Sequence, residues 1–173
     1  IIKEIRRNLI WSLEKLCFSK ESYQDGSKVL ALLAAAENET WGNNATGQFK
    51  QLFHIMLPGT EATLQERLET LHYLKISGKE YEELALECFD RAFDNGSFVR
   101  DGSGAQFGLQ RKTDYMPKSN IEIVEYWEQC RDMLMSWLEE DKDIRDRTAK
   151  LSTSHAFRWA YDGMLGRMLP CLN

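Results

Sequence analysis

The chain has 173 residues, of which 43% are hydrophobic and 28% are charged, a balance that indicates a folded globular protein and excludes a disordered one. Its formal net charge of -5 at pH 7 argues against a chain-wide affinity for nucleic acid or for an anionic membrane surface. No apolar run approaches the ~18 residues that cross a bilayer, so we expect a cytoplasmic location and no membrane partner.

The first two helices are predicted from apolar residues that recur at helical spacing. One helix runs to about Cys17, and a second begins at a cap provided by Ser19 or Ser22 and continues to about Glu37. Because so short a connection turns the chain back on itself, we expect an antiparallel pair.

A polar corner follows at residues 35–48, with the sequence AENETWGNNATGQF. Glu37 and Glu39 suggest a metal ligand pair or an acid and a base, but consecutive helical positions point in divergent directions. We therefore interpret the stretch as a corner in which Asn43 or Asn44 caps the next helix.

The third and fourth helices are predicted from two further apolar patterns. An apolar stripe from Phe49 to Met56 predicts a helix that Pro58 ends. Thr60 is then the predicted cap of a leucine-rich fourth helix.

The remaining helices are predicted in the same way, from apolar spacing and from capping residues. Residues 81–92 give the clearest amphipathic pattern and predict the fifth helix. A cap at Ser119 or Asn120 opens the sixth, and the last segment begins near Asp143. We expect the hydroxyl run at residues 152–154 to break that last segment in two.

The predicted fold is all-α, with antiparallel helix pairs stacked as a HEAT-like or armadillo-like superhelical segment. No fixed sequence period is present, so any repeat is degenerate, and a compact helical bundle is the alternative. We expect residues 1–173 to form a single α-helical domain. The chain starts inside a helical pattern, which suggests that it is a piece of a longer polypeptide.

Cysteine usage predicts reduced core thiols. The chain has four cysteines, Cys17, Cys88, Cys130 and Cys171, with no close pair among them. Structural zinc sites need short ligand pairs, so this spacing predicts no metal site. The first three cysteines fall on apolar helical faces, where a thiol behaves as a small hydrophobic group.

Residues 95–118 form a long loop and are the best candidate for a binding site. Cationic and aromatic side chains alternate there, and such a mixture suits a protein partner, a phosphate or a stacked base. The competing interpretation is a connecting loop whose aromatic residues pin it to the helices. No GxxxxGK[ST] phosphate loop is present, and we expect no cofactor. The predicted partner-binding residues are Phe98, Arg100, Phe107, Arg111, Lys112 and Tyr115.

The histidines do not indicate catalysis. His54 and His72 lack a carboxylate or cysteine partner at metal-binding spacing. His155 follows Ser154 directly, whereas a nucleophilic serine needs a base that faces it from elsewhere in the fold. We assign no catalytic residue and no metal ligand.

Three segments carry a resemblance to a known class of protein: RNLIWSLEKLCF, VLALLAAAENETWGNNATGQFKQLF and LPGTEATLQERLETL. They resemble a recurring segment of very large bacterial proteins. In those proteins a sirtuin-like or signal-transducing P-loop ATPase (STAND) effector is joined to a long degenerate helical array. The resemblance implies a sensor or scaffold segment in antiphage or stress defence, with catalysis in another domain, and it transfers no catalytic residue to this chain.

We therefore expect a non-catalytic helical segment that binds a protein partner or another domain of its parent chain. Binding of nucleic acid or a nucleotide through the loop at 95–118 is the second hypothesis. A helical-bundle enzyme is the third.

Overall fold

The computed structural model describes residues 2–38, 44–94, 106–107, 110–111, 113–138, 142–161, 163 and 165–168. These residues are predominantly helical, which confirms the all-α prediction. The helices are α1 (Ile2–Phe18), α2 (Lys20–Ala35), α3 (Ala45–Gln51), α4 (Leu64–Ile76), α5 (Glu82–Phe93), α6 (Asn120–Leu138), α7 (Lys142–Tyr161) and α8 (Leu165–Met168), with a 3-10 turn at Lys79–Tyr81.

Two very short antiparallel strands, β1 (Gln106–Phe107) and β2 (Gln110–Arg111), lie within the predicted loop. Each has two residues, so the sequence offers no run of alternating apolar residues from which to predict them.

The first two helices form the predicted hairpin, and a glycine sets their separation. A Cβ atom added to Gly26 of α2 would lie 3.2 Å from the Cβ of Leu16 and 3.3 Å from the Sγ of Cys17 on α1. The absence of a side chain at Gly26 thus allows the two backbones to approach closely. Leu16 and Gly26 therefore mark the line of contact between α1 and α2.

The corner after α2 is held by Glu37. Its carboxylate accepts a 3.1 Å hydrogen bond from Arg6 of α1 and a 2.8 Å bond from the backbone N–H of Ala45, where α3 begins. The side chain of Asn44 accepts from the N–H three residues later at 2.8 Å, which confirms the cap predicted at this corner. Residues 39–43 lie outside the described part of the chain.

The third helix is shorter than predicted, since α3 ends at Gln51 and not near Met56. In a continued helix the carbonyl of His54 would accept from the N–H of residue 58, but Pro58 has none. Arg67 of α4 donates to that carbonyl instead, from Nη1 at 2.7 Å. The apolar stripe is buried through Phe53, and the chain then leaves the helical path.

The cap of α4 is Thr63, so the prediction of Thr60 was wrong. The hydroxyl of Thr63 accepts from the N–H of Glu66 at 3.2 Å, and the Glu66 carboxylate accepts from the N–H of Thr63 at 2.8 Å. This reciprocal pair is a capping box. Thr60 is buried before the helix, and its hydroxyl accepts from the N–H of Ala62 at 3.0 Å.

The predicted break at residues 152–154 is also wrong, because α7 passes through it without interruption. The hydroxyl of Thr153 donates to the carbonyl of Ala149 at 2.8 Å, and that of Ser154 donates to Leu151 at 2.6 Å. Hydroxyls that bond to the preceding turn leave the helical N–H groups undisturbed.

Helix α5 lies at the centre of the described core and contacts α3, α4, α6 and α7. Cys88 and Phe89 on α5 are fully buried, and the indole N–H of Trp127 on α6 donates to the carbonyl of Ala92 at 2.8 Å. The HEAT-like superhelix stays a prediction, since these contacts define helix packing without establishing a repeat.

The cysteines of the described core are free and buried, as predicted; they are Cys17, Cys88 and Cys130. Burial raises the pKa of the Cys17 thiol to about 12, so the reactive thiolate is disfavoured. No helix in the described part of the chain is long and apolar enough to cross a membrane.

Candidate functional site

The predicted binding loop is only partly described. Tyr115 has a described side chain, whereas Phe107 and Arg111 are described only through their backbones in β1 and β2. Phe98, Arg100 and Lys112 lie outside the described residues.

Tyr115 is tied to the rest of the fold by three contacts. Its N–H donates to the carbonyl of Thr60 at 2.8 Å, and the guanidinium carbon of Arg67 lies 5.6 Å from the centre of its ring. Its hydroxyl donates to the carboxylate of Glu122 on α6. Partial burial and then this hydrogen bond raise the pKa of Tyr115 to about 12. These contacts are those of an anchor for the connection between α5 and α6.

A groove of about 430 Å³ lies between α5 and α7. Its α5 wall consists of Glu83, Leu86, Glu87 and Asp90, which recur at i, i+3, i+4 and i+7 and so share one face of the helix. Lys50 of α3 lines the same space. The volume falls within the range of about 300–1,000 Å³ that is usual for small-molecule sites.

The α7 wall has the same spacing and the opposite charge. It consists of Arg147, Lys150, Leu151 and Ser154, again at i, i+3, i+4 and i+7. Leu86 of the α5 wall is buried and Leu151 is partly buried, so an apolar strip lies between the two charged rows.

Polar contacts cross the groove at both ends. Arg147 pairs with Glu83 at one end, and Nε2 of His155 lies 2.9 Å from Oδ1 of Asp90 at the other. The partners follow the same order along both helices, so α5 and α7 run parallel here.

The carboxylate of Asp90 is ionised in its contact with His155. The hydrogen bond from His155 is the main cause that lowers the pKa of Asp90, and partial burial opposes it. The imidazole ring of His155 also lies 5.9 Å from the ring centres of both Phe93 and Trp159. Asp90 is therefore an ionised carboxylate at neutral pH beside a histidine that two aromatic rings hold in place.

Of the two lysines that line the groove, one is paired with a carboxylate and, in the described part of the chain, the other is not. Lys50 pairs with Glu87 at 2.5 Å. Lys150 is exposed and has no ion-pair partner among the residues that the structure describes. A ligand that carries an anionic group would therefore find its counter-charge at Lys150.

This groove is not predictable from local sequence patterns, because its residues come from helices far apart in the chain. The available signal was one row of acids on a helical face, at 83, 87 and 90, and one pair of bases on another, at 147 and 150. Rows of opposite charge on two helices suggest facing walls only when those helices are known to be neighbours, and the sequence did not predict that α5 and α7 touch.

A second surface is apolar and lies on the α1–α2 hairpin. Ile5, Leu9 and Leu16 are exposed by 62%, 45% and 49%, and their spacing places them on one side of α1. Leu16 lies at the contact with Gly26, and Val29, one turn beyond Gly26 on the same side of α2, is also exposed by 44%. We call Ile5, Leu9, Leu16 and Val29 the hairpin face.

The histidines do not converge with other ligands. His54 is buried, and burial lowers its pKa to about 4, whereas His72 is exposed. In the described part of the chain, no group of three or more His, Cys, Asp and Glu residues is placed to hold a metal ion.

Comparison of the chain with protein-family models, with curated proteins and with solved structures finds no match. The geometry of the groove and of the hairpin face is therefore the basis for a functional proposal.

Proposed function

We propose that this chain acts by binding, as a helical scaffold segment whose hairpin face docks on a helix of a protein partner or of another domain of its parent chain. The observation that carries the proposal is the row of exposed apolar side chains at Ile5, Leu9 and Leu16.

The spacing of this row is what distinguishes it from ordinary surface leucines. Single exposed apolar residues are common and need no explanation. Ile5, Leu9 and Leu16 instead follow one side of α1 beside the α1–α2 contact, where Val29 continues the surface onto α2. Two adjacent helices that present apolar ridges form a furrow into which the ridge of a third helix packs.

Burial of the four apolar side chains of the hairpin face supplies part of the free energy of binding. Complete burial of a leucine or isoleucine side chain contributes about 1.5–3 kcal/mol, and these side chains are roughly half exposed before docking, so each contributes about 1 kcal/mol on docking. Contributions of this size from several residues favour an apolar helix with a stripe of matching spacing as the occupant.

The resemblance to helical arrays of bacterial defence proteins supports a cellular location for this binding. We place the binding event in the bacterial cytoplasm, and we place catalysis in a different domain from this one. The buried, free thiols at Cys17, Cys88 and Cys130 accord with a reducing compartment.

The test combines capture with site-specific cross-linking. Wild-type protein and the variant Leu9→Glu serve as bait in nuclease-treated bacterial lysate, with Ile76→Glu as the matched control because Ile76 is exposed by 67% on α4. A photo-reactive benzoylphenylalanine at position 16 identifies the residues that it touches. We expect Leu9→Glu to lose the captured protein, Ile76→Glu to keep it, and the cross-links to fall at helical spacing in the partner.

Equal capture by Leu9→Glu and the wild type would remove the hairpin face from the proposal. Capture that disappears on nuclease treatment would instead support binding of nucleic acid.

A further inference from the structure

The groove between α5 and α7 has features that helix packing alone does not require. Its walls present rows of opposite charge on either side of an apolar strip formed by Leu86 and Leu151. The ion pair between Glu83 and Arg147 and the hydrogen bond between Asp90 and His155 lie at its ends. Helices in direct contact usually meet through apolar side chains, whereas here an open space of about 430 Å³ remains between charged walls.

The charges of the lining exclude strongly charged ligands. Three carboxylates, those of Glu83, Glu87 and Asp90, face three cations, those of Lys50, Arg147 and Lys150. A polyanion such as a nucleoside triphosphate would meet the three carboxylates, and a polycation would meet the three bases. A ligand that carries one charge of each sign suits this lining best.

Two groups are placed to receive those charges. Lys150 has no ion-pair partner among the described residues, so it can donate to a ligand carboxylate. Asp90 uses Oδ1 for His155, which leaves Oδ2 to accept from an ammonium group. Both line the groove, on opposite walls. Lys150 lies about one helical turn before Ser154, on the same face of α7, and that spacing corresponds to about 6 Å along the helix.

We propose that the α5–α7 groove binds a small zwitterion of the amino-acid or dipeptide class, with its carboxylate at Lys150, its ammonium group at Asp90 and an apolar side chain on Leu86 and Leu151. This site is separate from the hairpin face, and its occupation does not depend on the docking function.

The hydroxyl of Ser154 adds a polar contact between the two charges. It donates to the carbonyl of Leu151 at 2.6 Å, and its oxygen lone pairs remain able to accept a hydrogen bond from the ligand. Ser154 thus favours an ammonium or amide N–H donor at the Asp90 end of the groove.

The experiment is a titration of the full chain with leucine and leucyl-leucine, followed by the shifts of backbone amide signals in NMR spectra. N-acetylleucine and leucinamide are the matched ligands, since each retains one of the two charges. We expect saturable shifts at the groove residues with the zwitterions, and weaker binding of both blocked ligands.

Variants of Lys150 assign the carboxylate contact. Because Lys150 is exposed, Lys150→Met should fold normally, and loss of a charge-assisted hydrogen bond should weaken zwitterion binding about tenfold. Lys150→Arg should retain most of the affinity. Lys15→Met replaces an exposed lysine on α1 and should bind as the wild type does.

Equal affinity of the zwitterions and the blocked ligands would overturn the proposal, because the binding would then not require both charges. Shifts that are confined to other parts of the chain, or the absence of saturable shifts at millimolar ligand, would overturn it as well.

Discussion

Arg67 and His54 are joined by a 2.7 Å hydrogen bond from the guanidinium Nη1 to the backbone carbonyl, although thirteen positions separate them in the chain. The Nε of Arg67 donates to the carbonyl of Ala62 at 3.1 Å, so one side chain holds both parts of the connection between α3 and α4. The ring of Tyr115, in the connection between α5 and α6, lies over the same guanidinium. Arg67 is fully buried, and that burial lowers its pKa.

Replacement of Arg67 should destabilise the fold. Arg67→Met leaves the carbonyls of His54 and Ala62 without their donor, and we expect a loss of about 2–4 kcal/mol in the free energy of unfolding. Chemical denaturation measures this loss. Arg7→Met is the control, since this exposed guanidinium on α1 only lies over the Trp11 ring, 5.3 Å from its centre, and its loss should cost at most about 1 kcal/mol. Equal stability of the two variants would show that Arg67 does not hold the connection.

The buried imidazole of His54 should make the protein less stable in acid. Its pKa is lowered to about 4 in the folded state, mainly by burial, whereas the unfolded chain takes up the proton near the ordinary value of 6.5. Because the unfolded state binds more protons between these values, stability falls as pH falls from about 6.5 to about 4, by on the order of 2–3 kcal/mol.

Denaturation over this pH range tests the assignment to His54. The variant His54→Gln removes the titrating group and should show a shallower decline of stability with acid. His72→Gln, at an exposed site on α4, should retain the wild-type decline. A decline that is unchanged in His54→Gln would assign the acid sensitivity to other groups.

The capping box at the start of α4 should contribute to the stability of the fold. Thr63→Ala removes the acceptor for the N–H of Glu66 and should lower stability by about 1 kcal/mol, measured by thermal unfolding. Thr153→Ala is the matched control, since that threonine is exposed within α7 and alanine has the higher helix propensity. A larger loss in Thr153→Ala than in Thr63→Ala would contradict the assigned cap.

The inner face of α7 has an unusual polar character. The hydroxyls of Thr148 and Ser152 are fully buried, and neither has a hydrogen-bond partner among the described residues. A buried polar group without a partner costs about 1–3 kcal/mol, so Thr148→Val should leave stability unchanged or increase it by about 1 kcal/mol.

A second threonine provides the comparison. Thr70 in α4 is equally buried, but its hydroxyl donates to the carbonyl of Glu66 at 3.2 Å. We expect Thr70→Val to lose about 1 kcal/mol when both variants are measured in the same denaturant. Similar losses in the two variants would reveal a bridging water at Thr148.

The sequence predicted the helices better than their ends, and the reason differs between sites. The helical face of α5 followed from local periodicity, because Leu84, Cys88 and Phe89 repeat at the spacing of one buried face. The end of α3 depended on Arg67, which comes from a different helix, and local pattern does not encode that contact. Thr60 and Thr63 both suit a cap, but only Thr63 is followed three residues later by a glutamate, Glu66, and that spacing is the sequence signature of a capping box.

The candidate sites were harder to predict, for a related reason. Tyr115 was chosen for its place in a basic and aromatic loop, but its contacts with Arg67 and Glu122 involve helices on either side of that loop. The groove depends on two helices that lie side by side only after folding. Composition and spacing within one segment carry no information on such neighbours.

The parallel arrangement of α5 and α7 also bears on the order in which the chain folds. Asp90 and His155 meet across 65 positions of sequence, whereas Arg6 reaches the carbonyl of Leu33 across 27. Closing the larger chain loop costs more entropy, so contacts of the α1–α2 hairpin should form early and those across the groove late. A ribosome-bound chain that has not yet released α7 would already display the hairpin face and would still lack one wall of the groove. The two surfaces of this protein therefore arise at different moments of its synthesis.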